Sequence, residues 1–123
     1  MSLFNLFKTS EPTPGQMSRE TIQALSGKIR LSDTDQDAAL DLYCYNKCDN
    51  TESDLVKNCR GVIFHSNTVV MKGFPFTEEF TTDDSSFSEL KTKVAFNSSE
   101  YKFYDAHEGA LLRVFNWQSK WYV

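Results

Sequence analysis

A chain of 123 residues and 14.1 kDa holds one domain's worth of core and leaves no room for separate catalytic and binding domains. A formal charge of -4 and a pI near 5.1, without an arginine- or lysine-rich run, exclude a general polyanion binder. No stretch of about 18 or more apolar residues is present to cross a membrane, and 40% hydrophobic, 14% aromatic and 24% charged content describes an ordinary globular composition rather than disorder.

Residues 1–15 read as an arm and linker. Ser2-Leu-Phe-Asn-Leu-Phe7 is a short apolar patch suited to docking on a protein partner, and Thr9-Ser-Glu-Pro-Thr-Pro-Gly15 has linker composition. Residues 16–123 form the domain. Ser18 followed by Ile22, Leu25 and Ile29 predicts a capped helix over 19–27, ended near Gly27. Ser32-Asp-Thr-Asp-Gln-Asp37 reads as a polar connection; it lacks the central glycine and closing glutamate of a calcium loop. From Ala39 the period becomes two. Leu40, Leu42 and Cys44 are expected to face the core, and Asp41, Tyr43 and Tyr45 to form an aromatic-polar outer face. Cys48-Asp-Asn-Thr-Glu-Ser53 is a turn, with a single helical turn at Asp54 to Asn58.

Two apolar runs, Cys59 to His65 and Val69 to Gly73, flank a Ser66-Asn67 turn and predict a β-hairpin. Gly73-Phe-Pro-Phe76 cannot extend that ladder, because proline lacks the donor. Phe87, Leu90 and Val94 suit a helix over about 83–93. Tyr101 to Asp105, Ala110 to Phe115 and Lys120 to Val123 read as strands joined by turns at Ala106 to Gly109 and Asn116 to Ser119, with Trp117 exposed at a hairpin tip. The fold class expected is α+β, antiparallel hairpins with short helices. A chain that stops in the middle of an apolar strand at Trp121-Tyr-Val123 reads as truncated at its C-terminus, with an open strand edge that a protein partner or further sequence would cover.

Cys44, Cys48 and Cys59 are odd in number and follow no secretory leader, which points to a reducing, cytoplasmic setting. A metal site would need His65 as a fourth ligand; buried thiols are the expected reading, and no metal-ligating residues are assigned. Lys47, Lys57 and Arg60, and the pair Lys91 and Lys93, read as scattered charges of a solvated surface. Tyr43, Tyr45, Trp117, Trp121 and Tyr122 are chemically able to stack RNA bases, but without interleaved arginines packing or a protein interface is the expected use.

Chemistry is suggested at two strand starts. Arg60-Gly61 offers a guanidinium that matches phosphate oxygens beside a backbone that can be approached closely, and Glu108-Gly109 offers an acceptor for a ribose hydroxyl. Together they sketch a nucleotide pocket. The order Cys59-Arg-Gly-Val-Ile-Phe, then Gly73-Phe-Pro-Phe-Thr-Glu-Glu-Phe80, then a helical spacer, then His107-Glu-Gly-Ala-Leu-Leu-Arg-Val resembles the front half of the adenylyltransferase domain of phage and large-virus RNA ligases, over about residues 39 to 123. The resemblance implies a partial nucleotidyltransferase fold, ATP and magnesium as cofactors, RNA as substrate, and a viral protein of the host cytoplasm or virion. It implies that Arg60 approaches the nucleotide phosphates, that Glu108 lies near the ribose, and that Gly61 and Gly109 complete the two motifs.

The family's nucleophilic lysine falls two residues before Glu108, where this chain has Ala106. A methyl group cannot attack a phosphate. Lys102 lies four residues upstream, roughly 13 Å along an ideal strand; period-two alternation turns His107 away from the face shared by Ala106 and Glu108; Lys72 reads as an exposed edge lysine. The family's later metal-binding carboxylate and phosphate-contacting lysines are not found. No catalytic residue is therefore assigned. The expectation is an RNA ligase-like adenylyltransferase fragment, inactive as this chain. The alternatives are a structural or scaffolding protein of a viral particle or complex on a degenerate ligase-like fold, and a non-catalytic nucleotide-binding module.

Overall fold

The computed structural model describes residues 17–83, 85–94 and 101–123; the expected N-terminal arm lies outside them. The described residues divide into two compact units, one within Glu78–Ala110 and the other holding residues 17–77 together with Leu111–Val123. The fold class is α+β: antiparallel sheets with a few short helices.

In the larger unit the chain begins with helix α1 (Arg19–Gln23), where Ser18 and Thr21 cap each other's backbone amides in a capping box. The helix is shorter than the 19–27 expected. The Leu25 carbonyl accepts from the amides of both Lys28 and Ile29 at 2.8 Å, and this turn sends the chain straight into a strand. That strand, β1 (Ile29–Asp35), replaces the polar connection expected over Ser32 to Asp37. Its outer residues carry polar side chains because it is a sheet edge; the ladder from β2 (Leu40–Tyr45), with a bulge near Ser32, holds it rather than any propensity of its own.

Helix α2 (Asp54–Asn58) is capped by Ser53, as expected of a single helical turn. The hairpin forms as β3 (Arg60–His65) and β4 (Thr68–Lys72), with Ser66 at a φ of 54° in its two-residue turn. The order β1-β2-β3-β4 is a fully antiparallel meander. After Lys72 the chain leaves the ladder, and Phe76 returns to donate its amide to the Lys57 carbonyl at 2.8 Å.

The core lies on the sheet face covered by α1 and α2, where Ile22, Val56, Cys59, Val62 and Phe64 are buried. The expectation for β2 holds at Leu40, which is buried, and is reversed along the rest of the strand. Tyr43 is buried in this core, edge-on to Phe64 at 5.9 Å, with Tyr45 packed beside it, whereas Leu42 and Cys44 point to the opposite face and are half-buried. A tyrosine ring brings an apolar body whose hydroxyl still needs a partner. Arg19 supplies one to Tyr43 at 3.4 Å, pairs with Asp41, and takes the Asn67 side chain on its backbone amide at 3.0 Å, which binds α1 to the sheet and the hairpin tip.

The last segment carries a short hairpin, β5 (Phe115–Trp117) and β6 (Lys120–Tyr122), turned at Gln118 and Ser119, both at positive φ. The turn expected at Asn116 to Ser119 is therefore present, but the strand expected over Ala110 to Phe115 begins only at Phe115. Trp117 is not an exposed tip. Its ring packs on His65 at 5.2 Å, and its indole nitrogen is buried.

The smaller unit holds α3 (Ser85–Val94), close to the helix expected over 83–93, with Lys91 set over the Phe87 ring at 4.9 Å. Residues 101–110 adopt no strand, contrary to the expectation for Tyr101 to Asp105, and the Ala106 to Gly109 stretch forms no regular turn. Most of their side chains are exposed; without a laddered neighbour, alternation in the sequence cannot produce a strand.

Candidate functional site

The site is built on the second face of the sheet, away from the helices. Arg60 pairs with Cys44 and Val62 with Tyr43, so Gly61 between them is a bulge residue, at a φ of 82° that favours glycine. Its carbonyl faces Arg113, whose Nη1 donates to it at 2.7 Å. The Arg113 guanidinium fits between the backbones of Gly61 and Gly73: a Cβ at Gly61 would meet its Cζ at 2.9 Å, and one at Gly73 would meet its Nε at 2.9 Å. The two glycines of the Cys-Arg-Gly and Gly-Phe-Pro-Phe stretches thus form one slot, and a side chain from far along the sequence fills it.

Leu111–Val123 runs from this slot across the sheet. Between the two lies an open cleft of about 630 Å³, floored by Leu42, Cys44, Ile63 and Met71 and bordered by Arg113 and Trp121. That volume is within the range of small-ligand pockets. At the far end, Lys120 pairs with Asp35 at 3.1 Å. The Asp35 carboxyl is held below its ordinary value first by the Ala38 amide and then by Lys120. The Lys120 amine is raised by the same partner.

The cysteines divide by environment. Burial pushes the Cys59 thiol up to about 12, and raises that of Cys48 as well. Cys44 is half-buried on the cleft floor, rather than in the core where alternation put it. Among the described residues no three His, Cys, Asp or Glu side chains gather as a metal site.

Of the residues singled out in the sequence, Gly61 lines the cleft, and Arg60 stands next to it at the start of β3 without lining it. Arg60 lies near Tyr45, where its charge and that of Arg113 oppose the upward push of burial on the phenol. Glu108 and Gly109 belong to the other unit, together with Ala106 and His107, and all four are exposed. A Cβ at Gly109 would meet nothing within 4 Å. The four residues expected to share a nucleotide pocket are thus divided between the units, Arg60 and Gly61 in one, Glu108 and Gly109 in the other. Arg113, to which the motifs assign no role, lines the cleft as a cation together with Lys120. Its signal in the sequence was a lone arginine inside the apolar run Ala110-Leu-Leu-Arg-Val-Phe115.

No protein-family model matches the chain, and no solved structure matches it. Among curated proteins, the chain is similar to the immediate-early protein ICP-46 homolog of Invertebrate iridescent virus 6, at 29% identity over 77 residues. The match covers 62% of this chain and 16% of that viral protein, so the chain spans about one-sixth of its relative's length. Among the described residues no helix is long and apolar enough to cross a membrane.

Proposed function

We propose that this chain is an RNA ligase-like adenylyltransferase module of viral type that does not adenylylate itself. The observation that carries the reading is Ala106 at the place of the nucleophilic lysine, within the same order of Cys-Arg-Gly, Gly-Phe-Pro-Phe and His-Glu-Gly words that makes the resemblance. A viral relative supports the viral part of it. The cleft supports a ligand-holding role, because its apolar floor suits a planar ring and Arg113 is a cation at its margin. Magnesium, which the resemblance implies, finds no group of three ligand side chains among the described residues, so no step of the proposal runs through it.

On this reading, incubation with ATP and magnesium leaves the intact mass unchanged. A stable gain of one adenylyl group, mapped to a lysine or to His107, would restore the enzyme reading. Joining of RNA ends, the activity of the complete family, is not expected of this chain.

A second reading, a structural or scaffolding protein, is favoured by a separate observation. Leu111, Leu112, Val114, Trp121 and Val123 are all exposed along one short segment, a concentration of apolar side chains suited to a protein interface. Calorimetric titration with ATP separates the two: saturable heat supports a nucleotide-holding module, and its absence supports the scaffold.

A further inference from the structure

We infer that Leu111–Val123 is a strap that opens and closes over the cleft as a unit, and that Arg113, seated between Gly61 and Gly73, is its latch. The inference rests on the geometry of the larger unit and not on the nucleotide reading.

Among the described residues the strap shares no ladder with the sheet it covers: β5 pairs with β6, and β4 pairs with β3. Backbone hydrogen bonds therefore do not fasten it. Apolar burial fastens it only in part: Leu112 is 73% and Trp121 69% exposed, Phe115, Trp117 and Tyr122 are half-buried, and none of its residues is fully buried. What remains is a row of point contacts. Arg113 donates to the Gly61 carbonyl, Trp117 packs on His65 at 5.2 Å, and Lys120 pairs with Asp35 at 3.1 Å. An element held by few contacts, over a sheet held by ladders and a buried core, opens at lower free energy than the sheet unfolds.

Of these contacts, to which Tyr122 beside Asp35 adds, the one at Arg113 is built into the sheet. Gly61 has a backbone reason to be glycine in its φ of 82°. Gly73 has no positive φ, so the room it leaves for the guanidinium is what its missing side chain provides. The hydrogen bond is charge-assisted and half-buried, the type that contributes most per contact. The Lys120–Asp35 pair is largely solvent-facing and contributes less. Release of the guanidinium frees the strap's first residues, and with them the cover over Cys44, Leu42 and Met71.

Gly73→Ala is the decisive variant, because its methyl group is aimed at a flexible side-chain end and not at the sheet backbone. The full chain would carry Cys48→Ser, leaving Cys44 as the reporter thiol and buried Cys59 as the internal control. Maleimide labelling of Cys44 and amide hydrogen exchange across β5 and β6 are then compared for Gly73→Ala, Arg113→Gln and the double variant. Each single variant is expected to raise both rates roughly tenfold or more, and the double variant is expected to add little, since both changes remove the same contact. Exchange in β2 and β3 should stay slow. The inference is overturned if Gly73→Ala leaves both rates unchanged, if the two effects multiply, or if β2 and β3 accelerate as much as the hairpin.

Discussion

At the scale of single residues, chemistry follows environment more than residue type. Three cysteines with no pairing partner look equivalent in the sequence, yet Cys59 is fully buried beside Val62 and Phe64, while Cys44 sits half-open on the cleft floor. A thiol whose ionisation is pushed up to about 12 holds almost no thiolate at pH 8, and only the thiolate reacts. In the native protein at pH 8, Ellman's reagent should therefore leave Cys59 untouched, and unfolding in guanidinium should expose it. Rapid reaction of Cys59 in the folded chain, identified by peptide mapping, would show that the core is open there. Arg113 teaches the same lesson from the other side. Its position in an apolar run marks it as unusual, but only the slot between Gly61 and Gly73 says what its guanidinium touches.

Elements are where the sequence was most and least legible. The β3–β4 hairpin and α2 were readable because their signals are local: two apolar runs around Ser66-Asn67, and a serine cap ahead of Asp54. Strand β1 was not, since Arg30, Ser32, Asp33 and Asp35 carry no apolar alternation and the strand exists through its pairing with β2. The same reason works in reverse at Tyr101 to Asp105, where alternation is present and no ladder forms.

The strap, too, has a property that belongs to the element. Its far anchor, Asp35 with Lys120, is flanked by Asp33 on β1 and Tyr122 on β6. Asp35 has a folded-state value below the ordinary 3.8, so its contribution is complete above 3.8 and is lost as the pH falls through the lower folded value. Lys120 is raised above 10.5, so its contribution is complete below 10.5 and is lost only as the pH rises past the folded value. The anchor should hold across the interval between, and on acidification NMR signals of Lys120 and Trp117 should shift together with a midpoint under 3.8. A midpoint at or above 3.8 would mean that the pair does not hold the strap.

For the whole molecule, the distribution of burial decides where stability resides. The fully buried side chains, Phe64, Ile22, Val56, Val62 and Cys59, all belong to the larger unit, and α3 in the smaller unit buries none of its residues. Phe64→Ala removes the largest of them and should cost about 3–5 kcal/mol in chemical denaturation. Leu90→Ala, at a half-buried position on the mostly exposed α3, should cost less than about 1 kcal/mol. Comparable losses for the two would place part of the cooperative core in the smaller unit.

The division of the proposed nucleotide residues belongs to this scale as well. The resemblance joins Arg60 to Glu108 through the order of short words in the sequence, but order alone does not place two side chains around one ligand. Arg60 and Gly61 belong to the unit of the sheet, and Glu108 and Gly109 to the unit that holds α3.

By itself, the sequence determined the α+β class, the central hairpin and the capped helical turns, because each is written in neighbouring residues. Only the tertiary structure decided which face of β2 is the core, that an acidic edge segment is a strand, and that Arg113 closes a slot between two distant glycines. Those outcomes depend on what packs against each face, and period-two alternation separates the faces of a strand without saying which one a helix will cover.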